Sequence, residues 1–203
     1  MPHKLVIGLL GGMGSGKSSV AAELVKRGAR VINADRLGHE ALQRPAIRDQ
    51  LVDRWGGVIL DENGDIVRSR VGRLVFADET ERKALETVVH PYIGQRIREE
   101  IEAARADPSV KLIVLDAAIM LEAGWDKMCD RLVYVHAPRA ARLRRLAEQR
   151  GWSAKEVELR EGAQASLTEK AMRATRAVDN SCSPEALSRQ VEDLLREIGE
   201  PPA

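Results

Sequence analysis

A chain of 203 residues is long enough to bury a substantial core and usually folds as one domain with insertions. A formal net charge of +1 implies no general polyanion-binding surface, and 3% aromatic residues argue against stacking platforms for nucleic acid. Cys129 and Cys182 lack CxxC spacing, and no apolar run reaches membrane-spanning length, so the expectation is a soluble, cytoplasmic chain with reduced thiols and no membrane partner.

Residues 4–10 read as a buried strand that enters Gly11-Gly12-Met13-Gly14-Ser15-Gly16-Lys17-Ser18, a full match to Gly-x4-Gly-Lys-Ser/Thr. Glycines at 11, 12, 14 and 16 let the main chain take positive φ and turn its N–H groups inward around a polyphosphate. Lys17 supplies a point charge near the β and γ phosphates, and the Ser18 hydroxyl holds Mg²⁺. A helix over residues 18–26, with Ser19 in its first turn, sets the positive end of its dipole against the phosphates.

A second buried strand covers residues 29–34 and ends at Asp35, where open α/β sheets bind ligands. Asp35 fits equally well as the N-cap of a helix over 36–43. Residues 44–105 are mostly helical and richer in charge, which reads as an insertion. Within it, Pro45 opens a helix to Trp55, Asp61 to Gly64 form a turn, and Asp78 with Glu81 caps a helix to about Val89. Pro91 then opens another to about Arg105, placing His90 at the corner between them.

Residues 110–116 return to a buried strand closed by Asp116, a pattern in which the carboxylate holds a Mg²⁺-bound water after a phosphate loop. Residues 131–136 form a further strand. A helix over 139–150 carries Arg139, Arg142, Arg144, Arg145 and Arg150 against a single acid, Glu148. Such a cluster is either a solvated face or a group of like charges that needs an anion nearby. Ser153 with Glu156 caps the next helix, and together the two suit a lid over a nucleoside triphosphate. Residues 175–179 form a short last strand, Pro184 opens a final amphipathic helix to about Ile198, and the last residues form a frayed tail.

A phosphate loop, a metal-side acid and a basic lid are parts of an enzyme that moves a γ-phosphoryl group. The chain resembles the dephospho-CoA kinases. The resemblance rests on the phosphate loop, Val31-Ile32-Asn33-Ala34-Asp35 with His39, Arg68 with Val75-Phe76, and Leu85-Glu86 before His90-Pro91. It continues through Asp116, Leu121-Glu122, Arg145-Leu146, Gly151, Arg160, Gln164, Glu169-Lys170 and Asn180.

This resemblance implies a P-loop NTPase three-layer α/β sandwich on a five-stranded parallel sheet. The implied organisation is a nucleotide-binding core over residues 1–43, 106–138 and 171–203, a helical acceptor domain over 44–105 and a lid over 139–170. It implies transfer of the ATP γ-phosphate to the ribose 3′-hydroxyl of dephospho-CoA, the last step of coenzyme A synthesis, with Mg²⁺ as cofactor. Asp35 matches the family's base, and Arg142 and Arg145 lie in the lid region beside Lys17 as catalytic candidates. His39, Arg68, His90, Asp116 and Glu122 fall on the acceptor side, and Asn180 near the adenine end. The chain departs from the family pattern at Ala118, where proline is usual, and at Gln149, where a second lid arginine is common and Arg150 stands one place along. The alternatives are a P-loop kinase for a nucleoside monophosphate or another small metabolite, and a P-loop switch. A monomer is the default expectation.

Overall fold

The computed structural model describes residues 4–162 and 164–199. Five parallel strands form one sheet in the order β2-β3-β1-β4-β5. They are β1 (Val6–Leu10), β2 (Ala29–Asn33), β3 (Leu112–Asp116), β4 (Arg131–His136) and β5 (Arg176–Asp179). Every residue of β1 is buried and β3 is buried up to Asp116, as expected of central parallel strands covered on both faces. The edge strand β5 buries Val178 alone. Ile7, Leu9, Val114, Val133 and Val135 from the strands meet Val20 and Leu24 of α1 (Lys17–Val25) and Leu187, Val191 and Leu194 of the last helix, α9 (Pro184–Gly199), in one apolar cluster.

The chain divides into two compact units. The first holds the sheet and comprises the residues before Ala34 and after Glu99. Besides α1 and α9 it contains α6 (Arg139–Arg150), α7 (Ala154–Glu161) and α8 (Leu167–Arg173). α7 starts with the expected capping box: Ser153 Oγ accepts from the Glu156 N–H, and the Glu156 carboxylate accepts from the Ser153 N–H at 2.8 Å.

The second unit, Ala34–Glu99, is built from α2 (Ala34–Leu42), α3 (Pro45–Trp55), α4 (Arg68–Ala77) and most of α5 (Glu79–Ala106). Two expectations are corrected here. α5 is one helix of 28 residues with Pro91 inside it, so His90 lies within a helix and not at a corner. Proline removes one N–H and crowds the preceding turn, a local cost that Val89, Ile93, Ile97 and Ile101, all buried along this helix, offset by keeping a continuous apolar stripe. Second, Asp78 does accept from the N–H groups of Thr80 and Glu81, but Glu81 reaches Arg54 and the indole of Trp55 instead of closing a reciprocal cap.

The helix capped by Ser153, expected to carry both Arg160 and Gln164, ends at Glu161, so Gln164 lies in a turn before the separate helix α8. α4 and α8 are helices that the sequence did not announce. Elsewhere elements shift by a residue or two at their ends, as at α1, which starts at Lys17. The frayed tail is expected from residue 199, but Gly199 is the last residue of α9, and the rest of that stretch, 200–203, lies outside the described residues. No helix among the described residues is long and apolar enough to cross a membrane.

Candidate active site

The phosphate loop leaves the C-terminal end of β1, the central strand, and runs into the first turn of α1. The first turn of a helix leaves main-chain N–H groups without intrahelical acceptors. The N-cap here is Gly16, at φ 87° and ψ 35°, so no side chain competes for those donors. Gly12 does not need positive φ, contrary to expectation; its requirement is space. A methyl group on it would fall 2.6 Å from Arg142 Nη1 and 3.0 Å from Leu167 Cδ2.

The carbonyl side of the loop is capped from two directions. Arg142 Nη1 donates to Met13 O at 3.2 Å, and Arg145 Nη1 donates to Gly14 O and Ser15 O at 3.2 Å each. Asn180, just past β5, donates from Nδ2 to Ser15 O at 2.8 Å and accepts on its own carbonyl from Arg145 Nη2 at 2.6 Å. Three cationic or amide side chains that hold loop carbonyls leave N–H groups as the complementary set for an anion. Ser15 Oγ is buried with no hydrogen-bond partner among the described residues, and Lys17 Nζ lies 3.5 Å from Gly11 O.

The arginine cluster of α6 resolves into distinct roles. Arg142 is 3% exposed, so it is no solvated face, and its anion is internal: the Glu161 carboxylate at the end of α7 accepts from both Arg142 and Arg139. Glu161 was not singled out from sequence, because nothing in local spacing ties residue 161 to residue 142. Arg150, one place along from Gln149, stacks over the Trp152 ring at 4.9 Å, with Arg160 over the same ring at 4.2 Å. Glu122 is exposed and accepts from the Ala165 N–H in the turn between α7 and α8.

Asp116 closes β3 in register with Leu9 on one side and Asn33 on the other, which puts its carboxylate at the ligand-binding end of the sheet. Ser18 occupies the first turn of α1, and its neighbour Ser19 is likewise exposed. Among the described residues no group of three or more His, Cys, Asp or Glu could hold a metal alone. Ser18 and Asp116 offer a hydroxyl and a carboxylate, the hard oxygen donors that Mg²⁺ takes, in the one or two protein ligands that it needs beside water and substrate phosphates.

The second unit brings together Asp35, His39 and Arg68, all exposed. Asp35 lies in the first turn of α2, which begins at Ala34, so β2 stops at Asn33. His39 follows one turn later, and its Nδ1 is 3.4 Å from Arg68 Nη1. Partial desolvation, then the Arg68 charge, lowers the His39 pKa, with Asp35 opposing, which favours the neutral imidazole whose Nδ1 can accept from the guanidinium. His90, on α5, is half-buried and its pKa is lowered by burial.

Similarity to known proteins extends over nearly the whole chain. The CoaE family model, described as dephospho-CoA kinase, matches residues 5–185. A dephospho-CoA kinase of Symbiobacterium thermophilum is 38% identical over 205 residues, covering 98% of this chain and 85% of the relative. One from Geobacillus kaustophilus is 38% identical over 196 residues, covering 95% and 96%. The crystal structure of TT1252 from Thermus thermophilus superposes with a TM-score of 0.82 at 35% identity, covering 97% of this chain and 98% of that one. The match takes in both the loop with its arginines and the helical unit that carries Asp35, His39 and Arg68, and on that breadth the chain belongs to the dephospho-CoA kinase family.

Proposed function

We infer that this protein transfers the γ-phosphoryl group of ATP to the ribose 3′-hydroxyl of dephospho-CoA, giving coenzyme A and ADP. The observation that carries this reading is the family match over residues 5–185, which includes the phosphate loop and the whole second unit. The phosphate loop, residues 11–19, binds the triphosphate, and Lys17 draws charge from the transferring group. Arg142 and Arg145, already seated on loop carbonyls, stabilise the charge that develops as the bond to ADP breaks.

Asp35 accepts the proton of the 3′-hydroxyl as its oxygen bonds to phosphorus. His39, Arg68, His90 and Glu122 serve the acceptor, with residues 44–105 as the acceptor-binding part and 139–170 as the lid. Asn180 sits at the adenine end. Ser18 and Asp116 would hold Mg²⁺, which would supply positive charge to the triphosphate. A cytoplasmic monomer is the setting we propose.

The test is to mix the protein with Mg²⁺, ATP and dephospho-CoA and identify products by mass, with AMP as a parallel acceptor. Coenzyme A plus one ADP per product is expected. ADP without phosphorylated acceptor, or preferential phosphorylation of AMP, would overturn the assignment.

A further inference from the structure

Lys170 is 2% exposed and takes no part in the reaction as described above. A lysine so placed is uncommon unless it is paired. It sits in α8 one turn after Leu167, the residue that reaches over Gly12, so both project from the same face of the helix towards the phosphate loop. Lys170 Nζ donates to Gln164 Oε1 at 2.9 Å, inside the turn that joins α7 to α8. Glu122 holds the same turn through the Ala165 N–H.

Charges converge on this ammonium. Burial lowers its pKa first; Glu122, Glu161 and Glu169 favour the charged form, and Lys17 of the phosphate loop opposes it. The Lys17 interaction places Lys170 within electrostatic reach of the loop's own ammonium. The Glu161 interaction ties it to the carboxylate that grips Arg142.

Resting on the kinase reading, we propose that Lys170 is a positioning residue for phosphoryl transfer. It locks the Gln164–Ala165 turn and thereby holds Glu161, and through Glu161 the guanidinium of Arg142, on the phosphate loop. The role is indirect, because Lys170 acts on the reacting group only by way of Arg142. Misplacing a transition-state contact reduces turnover more than ground-state binding.

Lys170→Met keeps the length of the side chain and removes its charge. The expected result is a kcat at least about tenfold below wild type, with KM for ATP within about twofold. The decisive measurement is a double-mutant cycle with Arg142→Ala: in that background Lys170→Met should cost less than about twofold more, because the two act through one contact. Multiplying losses would overturn the proposal, as would an unchanged kcat in the single variant. If Lys170→Met does not fold, Gln164→Leu removes the acceptor in the same turn and must give the same non-additive pattern. Failure of wild-type protein to phosphorylate dephospho-CoA would instead sink the kinase reading, so the two outcomes are separable.

Discussion

Arg142 and Glu161 form a pair that bridges two helices and the phosphate loop: the guanidinium, 3% exposed, is held by the Glu161 carboxylate while it donates to Met13 O at 3.2 Å. Arg142 Nε has no partner among the described residues, although it too is buried. A buried cation stripped of its counter-charge costs roughly 3–5 kcal/mol.

Glu161→Gln therefore lowers stability by about 3 kcal/mol, near the low end of that range, since Glu161 retains some exposure. Denaturant titration measures this. Saturating non-hydrolysable ATP should narrow the gap between variant and wild type, because phosphate oxygens supply the negative charge that Glu161 gave. A gap that persists unchanged with nucleotide would mean that Arg142 does not face the triphosphate.

Gly16 is fixed by both its own conformation and its neighbour Asn180. Its φ is 87°, and a methyl group there would fall 1.9 Å from Asn180 Nδ2, the donor that holds Ser15 O. Strain at a positive φ alone is worth about 1–3 kcal/mol. Gly16→Ala is expected to weaken ATP binding by at least about tenfold in calorimetry, since loop and amide cannot both keep their places. Gly124→Ala is the control: it too lies in the left-handed region, at φ 69° and ψ 19°, with open space around it, so it carries the backbone strain without the clash and leaves ATP affinity unaltered.

Asp35 stands in the first turn of α2, exposed, with His39 one turn on. A general base contributes roughly 10²- to 10⁴-fold. In a loose phosphoryl transfer the proton leaves late, so Asp35→Asn is expected near the low end, about 10²-fold in kcat, with ATP affinity retained. A near wild-type rate would return Asp35 to a purely structural place at the start of a helix.

How much of this was legible in the sequence follows from how local each signal is. The loop, the buried strands and the Ser153 cap are set by neighbouring residues, and the structure has them where spacing put them, within a few residues. Pro91 misled because proline is a local breaker, whereas the apolar stripe from Val89 to Ile101 that carries α5 through it depends on tertiary packing. Asp35 reads from sequence as either an acid closing the second strand or the N-cap of the next helix; β2 stops at Asn33 and α2 starts at Ala34, so Asp35 is neither and stands inside the helix's first turn. Glu161, Gln164 and Lys170 gain their meaning only when α7 and α8 fold back on the phosphate loop. Lys170 carries part of the family resemblance, but its spacing gives it no role until its burial and its bond to Gln164 are known.

The two cysteines separate by environment, and their reactivity checks the packing beneath β1. Cys129 is largely buried; burial, then the charges of Asp126 and Asp130, pushes its thiol up to about 12. A methyl group on Gly8 of β1 would fall 2.8 Å from its sulfur, so it lies directly against the central strand. Cys182 is exposed. At pH 8 a thiol with a pKa of about 12 is ionised to roughly one part in ten thousand, and only the thiolate attacks a disulfide reagent. Native protein should therefore release one equivalent of thionitrobenzoate quickly from Ellman's reagent, with the second appearing only in guanidinium. Cys182→Ser should abolish the fast phase and Cys129→Ser should spare it. Two fast equivalents from native protein would mean that the sheet does not seal over Cys129, and the close packing under Gly8 would be wrong.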